Sequence, residues 1–207
     1  MNDGRAANGA QILSPASTKL MQTAQFKLPA ENAAMGLGWI TEEWSGTKIC
    51  WHNGGTLGQL SFLWIVPEER LAVCILTNSD GGAALADELS RGLFEDRFKI
   101  TRPALPEVPK QPVKLDLNRY AGRYKRLGVT LDVEVLDDKL TITMRTASLF
   151  GEEKPPPQTF QVAALDEERF AIVDGEGKVQ GLITFLGSDP AGRPEYISVG
   201  RLAKRVE

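Results

Sequence analysis

The chain has 207 residues, 42% of them hydrophobic and 25% charged, with a formal net charge of −3. That is the composition of an ordinary globular protein, long enough for one large or two small domains. The basic residues are dispersed, no apolar run reaches membrane-spanning length, and Met1-Asn2-Asp3-Gly4-Arg5 lacks the apolar core of a signal peptide, so neither nucleic acid nor membrane is an expected partner and no compartment is indicated.

Residues 1–11 are polar and rich in Gly, Asn and Ala and read as a loose lead-in. Ser14 is a good N-cap and Pro15 suits the first helical position, which predicts a short helix to about Gln25 with Leu20, Met21 and Ala24 on one face. Residues 35–44 read as one strand, Ser45-Gly46 as a turn, and Thr47–Trp51 as a second strand running into His52. Leu60–Val66 and Leu71–Thr77 flank the turn Pro67-Glu68-Glu69-Arg70. Their apolarity on both faces predicts a central hairpin, covered on both sides. Cys50 and Cys74 fall inside such apolar runs and read as two buried free thiols. Asn78-Ser79-Asp80-Gly81 offers caps for a helix over Ala83–Phe98, with Leu85, Leu89 and Leu93 as the stripe that would lie on the sheet.

Pro103, Pro106, Pro109 and Pro112 recur every third residue, the mark of an extended polyproline II spacer. Beyond it the pattern is all-β. Short strands are predicted at 120–125, 130–135, 139–144, 159–163, 169–173, 179–186 and 195–202, with turn chemistry between them, as in a small antiparallel barrel or sandwich. Residues 152–157 form a charged, proline-rich loop, and Asp174–Gly177 reads as a hairpin turn, because it lacks the ligand spacing of a calcium loop.

The most informative stretch is Trp51-His52-Asn53-Gly54-Gly55-Thr56-Leu57-Gly58. It holds the only histidine, and its glycines suit a strand whose backbone must come close to something else. Of the tryptophans, Trp39 and Trp64 are assigned to the core and Trp51 to a pocket, while Glu42-Glu43 and Glu68-Glu69 read as solvated. One histidine without ligand spacing around it gives no metal site, and no cofactor is expected.

Four pieces together, Met35-Gly36-Leu37-Gly38-Trp39, the His52 stretch, Phe62–Pro67 and Val73–Asn78, resemble the C-terminal part of the serine β-lactamase and penicillin-binding-protein superfamily. The resemblance is to the class C-like branch that also holds D,D-peptidases, D-aminopeptidases and esterases. It covers residues 10–100, with Ile12-Leu13-Ser14-Pro15 near its start. Residues 115–207, opening with Tyr120-Ala121-Gly122-Arg123-Tyr124, are similar to the lipocalin-like barrel often appended to such enzymes. The resemblance implies α+β followed by all-β: a partial β-lactamase-like lobe over 1–100, a Pro-rich linker over 101–114 and a barrel over 115–207.

The family works with S-x-x-K, a tyrosine motif Y-x-N, and a strand motif of the Lys-Thr-Gly or His-x-Gly kind. His52-Asn53-Gly54 matches the third. The resemblance implies catalytic roles for His52, which would position a substrate carboxylate or the proton network, and for the Gly55 N–H, which would point to an oxyanion hole. Trp51, Asn53, Gly54 and Thr56 would line the substrate. The other motifs are missing in usable form. Ser45-Gly46-Thr47-Lys48 falls in a turn, Ala16 stands three before Lys19, and the positions two after the tyrosines are Gly122, Arg126 and Ser198. The implied function is therefore the C-terminal portion of a serine hydrolase, inactive alone, whose partner is the missing catalytic half. A non-enzymatic binder of a small ligand or partner is the alternative, and a complete but divergent hydrolase, using His52 with Ser79 and Asp80 or Ser45 with Lys48, is a third. Leu71–Thr77 is expected to pair with another chain, the barrel or the N-terminal segment, because an open apolar edge promotes association.

Overall fold

The computed structural model describes residues 2–28, 32–56, 58–79, 81–147 and 156–206. It divides into two compact units, residues 1–104 and 105–207. The architecture is α+β followed by all-β: a six-stranded antiparallel sheet with two helices, then a closed eight-stranded antiparallel barrel.

In the first unit the strands follow one another across the sheet as β1 (Phe26–Leu28), β2 (Ala33–Met35), β3 (Ile40–Trp44), β4 (Thr47–Thr56), β5 (Gln59–Val66) and β6 (Leu71–Thr77). The predicted single strand over 35–44 is two strands, because the Gly36 N–H donates to the Trp39 carbonyl at 2.7 Å and turns the chain between them. The first helix, α1, is shorter than expected, Pro15–Met21, capped by the Ser14 side chain accepting from the Ser17 N–H. Before it, the segment expected to be loose is tied down by its own bonds. The Gly4 carbonyl accepts from the Ile12 and Leu13 amides, and the Arg70 guanidinium donates to Asn2.

The second helix, α2 (Gly82–Phe98), covers one face of the sheet through Ala86, Ser90 and Phe94. Phe94 meets Trp44 edge-on with ring centroids 5.3 Å apart, and Trp44, Ile49, Trp64 and Val66 complete that core. The leucine stripe does not lie on the sheet. Leu85, Leu89 and Leu93 are 50%, 52% and 37% exposed. Small residues let the helix come close, and the leucines, on another face, are left without cover. The expected side-chain cap of this helix is absent too: Gly81 holds the N-cap without one, and a Cβ on Gly82 would fall 1.9 Å from Thr77 Oγ1, so the entry is a close backbone approach.

The β5–β6 hairpin is real, but its covering is one-sided. Alternate residues of β6 are exposed, Leu76 to 75%, and Cys74 is an exposed thiol while Cys50 is buried. The cause is cover: α2 lies on the face of Leu71, Val73 and Ile75, and the face of Cys74 and Leu76 is the open one; β6 is also the last strand of its sheet and pairs only with β5 among the described residues.

The second unit begins with an extended, irregular stretch through the prolines and a short 3-10 turn, Leu117–Arg119. The barrel follows as β7 (Gly122–Arg126), β8 (Val129–Leu136), β9 (Lys139–Thr146), β10 (Gln158–Ala164), β11 (Arg169–Val173), β12 (Val179–Leu186), β13 (Tyr196–Ser198) and β14 (Leu202–Arg205). The predicted strand over 195–202 is β13, a turn and the start of β14; β14 then pairs with β7 and closes the barrel. The interior is filled by side chains. Tyr120, Phe170 and Phe185 pack edge-to-face at 4.9–5.3 Å around Leu131, Ile142, Ile183 and Ile197. Arg205 braces one end, donating to the Ala121, Arg119 and Pro194 carbonyls and to the Tyr124 hydroxyl. Most of the predicted loop over 152–157 lies outside the described residues.

Candidate functional site

β4 carries all six predicted site residues. Instead of ending at Trp51, the strand continues through His52, Asn53, Gly54, Gly55 and Thr56, each facing a β5 partner. Alternation along a strand therefore sorts the residues by face. Trp51, Asn53 and Gly55 share the face that α2 covers, and Trp51 packs on that core. His52, Gly54 and Thr56 share the opposite, open face, with Leu63 and Cys74 in register beside His52 and with Ser61 and Leu76 beside Gly54.

The outer edge of this segment is also open. The β3 ladder stops at the Ile40–Trp51 pair, so among the described residues no strand lies along 52–56 on that side. Half of the backbone amides and carbonyls of an unpaired strand edge point outward and can bond an extended ligand. Each glycine suits its place. A Cβ on Gly54 would come to 2.9 Å from the Ser61 hydroxyl, and one on Gly55 to 3.3 Å from Leu60.

A groove of about 620 Å³ opens at this end of the sheet, lined by Gly54, Gly55, Thr56, Ser61, Leu76 and Thr77 among others. Thus three of the six predicted residues meet at one concavity and three do not. Trp51 is not a pocket wall. It is half-buried on the covered face, and its indole N–H donates to Glu42 Oε1 at 2.7 Å. Trp44 donates to the other oxygen, Oε2, at 2.5 Å. Glu42, read as solvated, is thereby a clamped carboxylate that fixes the ring next to His52. The sequence carried one overlooked signal for it, the alternation Ile40, Glu42, Trp44, which puts an acid on the same face as two apolar residues. The groove wall from Leu76 and Thr77 had none, since it depends on register across two ladders.

No nucleophile is assembled around His52. Its ring is exposed, and no hydroxyl or thiol among the described residues hydrogen-bonds it. Ser45 sits at the β3–β4 turn with φ 50°, and its hydroxyl accepts from the Thr101 N–H at 3.0 Å, while Lys48 lies on β4 opposite Glu43. The Ser79 hydroxyl accepts from the Gly81 N–H, and Asp80 lies outside the described residues. Cys50 is held protonated: burial, opposed by the Lys48 charge, pushes its thiol up. No group of three or more His, Cys, Asp or Glu able to hold a metal occurs among the described residues.

Comparison with known proteins gives the same picture from outside. Residues 1–96 match the Beta-lactamase family model. Penicillin-binding protein 4 of Amycolatopsis lactamdurans is 29% identical over 136 residues, which take in 62% of this chain and 35% of that protein. A crystal structure of SurE with D-Leu is 22% identical with a TM-score of 0.69, covering 99% of this chain and 48% of that one. A second SurE structure gives 21% and 0.69, over 99% and 46%. At such identity the likeness to SurE is one of fold. The chain spans about a third of the curated relative and about half of SurE.

Proposed function

We propose, from the premise that this chain is a partial domain of the β-lactamase and penicillin-binding-protein type followed by an eight-stranded barrel, that it is the substrate-side wall of a serine hydrolase. In this reading the nucleophile, its activating lysine and the tyrosine come from a catalytic half outside these 207 residues. The observation that carries the proposal is the arrangement of β4. His52 and Gly54 look out from the open face of a strand whose outer edge is unpaired among the described residues, and none of those residues hydrogen-bonds His52 as a nucleophile would. The incoming half would bring its serine to that face. The Gly55 N–H would stabilise the developing oxyanion, a role usually worth about 2.7–4 kcal/mol in the transition state. His52 would orient the substrate carboxylate or the proton network, with Asn53, Gly54 and Thr56 along the substrate. Trp51 would act at one remove, through Glu42.

Three uncovered apolar features support a missing partner: the α2 leucines, the β6 edge and Leu76. Self-association through Leu71–Thr77 is the other way to cover that edge. The chain alone should turn over neither nitrocefin nor p-nitrophenyl esters, and neither a fluorophosphonate nor a penicillin probe should label a serine. Because a structure of the same fold holds D-Leu, a D-leucyl ester is the first substrate to try on the completed enzyme. There His52→Ala should cut turnover by about 10²-fold, the scale of a lost acid–base or positioning group. A single labelled serine in the chain alone would overturn the proposal in favour of a divergent complete hydrolase. A ligand bound tightly in the Gly54–Thr77 groove without turnover would favour the non-enzymatic reading; the filled barrel interior argues against a ligand site there.

A further inference from the structure

The barrel carries an unexplained feature of its own, independent of the chemistry of β4. At one end of the barrel, β7 turns into β8 through Arg126-Leu127-Gly128, and β13 turns into β14 through Val199-Gly200-Arg201. β14 and β7 are neighbours, with Lys204 opposite Lys125 and Arg205 opposite Tyr124. Continuing that register two residues toward the tip sets Leu202 opposite Leu127. Leu127, in the two-residue β7–β8 turn, is 98% exposed, although such a turn normally carries polar or turn-forming residues, and Leu202, the first residue of β14, is 52% exposed.

The pattern repeats across the two strands. Each leucine has an exposed lysine of its own strand two residues behind it, Lys125 behind Leu127 and Lys204 behind Leu202, roughly 7 Å along the strands. Arg126 lies between Lys125 and Leu127, and Arg201 stands on the β13–β14 turn, beyond Leu202. Burial first, and then the Arg201 charge, hold the Arg126 guanidinium below its usual range. Among the described residues no carboxylate forms an ion pair with Lys125, Arg126, Arg201 or Lys204. Among the described residues at this end, Asp174 and Glu176 belong to the β11–β12 turn. There Asp174 already accepts from the Glu176 and Lys178 amides and from Gln180.

We propose that this tip docks on an anionic membrane surface, with Leu127 and Leu202 entering the headgroup–acyl boundary and Lys125, Lys204, Arg126 and Arg201 meeting the lipid phosphates. Charge complementarity and depth select this partner. An interfacial element sinks about 5–10 Å, which places a lysine pair roughly 7 Å behind an apolar tip at phosphate level. Lysine stems follow the apolar boundary while the ammonium stays with the phosphates. No helix is long and apolar enough to cross a membrane, and surface docking needs none.

The test is flotation of the full chain with vesicles of phosphatidylcholine mixed with phosphatidylglycerol, against vesicles of phosphatidylcholine alone. Binding should require the anionic lipid and weaken as salt is raised. Lys125→Ala and Lys204→Ala should each lower partitioning about fivefold, because a cation near an anionic surface contributes about 1 kcal/mol. Leu127→Ser should lower it at least as much; so exposed a residue leaves the fold intact, which circular dichroism checks. In Leu127→Trp the added indole should be quenched by brominated acyl chains. Equal binding to both vesicles, no binding to either, or binding that survives Leu127→Ser while the lysine variants lose it would each overturn the proposal, the last leaving only an electrostatic film.

Discussion

The two units solve the same problem to different degrees. In the barrel every strand has two neighbours, and the aromatic core is sealed inside them. In the first unit the sheet has two ends, one face of β4–β6 is open, and a three-leucine stripe points away from the core that α2 builds. A closed barrel removes its edges and needs nothing further, whereas an open sheet whose apolar surface is only partly covered is the form expected of part of a larger domain. On the proposed reading, the surface left for a partner belongs to the unit that carries His52.

That contrast can be measured unit by unit, because all four tryptophans lie in the first unit and all three tyrosines in the second. The largest effect is expected in the barrel core. Phe185→Ala should cost about 3–5 kcal/mol, read as loss of the tyrosine-reported transition while the tryptophan-reported one stays in place. Movement of both together would mean that the units unfold as one. Next comes Glu42→Leu, which leaves the Trp44 and Trp51 indole N–H groups without their acceptor. It should cost about 1–3 kcal/mol in the tryptophan-reported transition and shift the emission of those rings. If it does neither, Glu42 is not a clamp.

A pH effect is expected in the barrel. Burial, opposed by Arg205, pushes the Tyr124 hydroxyl up to about 12 from an ordinary 10.0. Between those values the folded barrel keeps a proton that the unfolded chain releases. The resulting stability is whole below pH 10.0 and is lost as pH rises toward about 12. Alkaline melting curves should show this slope, and Tyr124→Phe should flatten it. The smallest effect sharpens the comparison most. Leu89→Ser should change the stability of this chain by no more than about 0.5 kcal/mol, because the side chain is already half in water. The same substitution should weaken assembly once the catalytic half is supplied. Native thiol titration should likewise find Cys74 at once and Cys50 only after unfolding.

Much of this was legible without coordinates. Local periodicity and turn chemistry indicated the β5–β6 hairpin, α2 and the barrel strands, because each is a property of a few consecutive residues, while the His52-x-Gly54 motif came from the family resemblance. The expectations that failed share a cause. Leu85, Leu89 and Leu93 do share a helix face, but another face, with smaller residues, is the one that packs. β6 is apolar almost throughout, yet α2 covers only one of its faces and leaves Cys74 and Leu76 exposed on the other. Glu42 stands in a charged pair in sequence and between two indoles in space. A 3.6- or 2-residue period says which side chains point the same way; it does not say what stands opposite them. That is decided by register across ladders and by which elements are present to cover a surface. For β4 the sequence by itself determined the wall of a candidate site, and the tertiary structure decided which of its faces is still open.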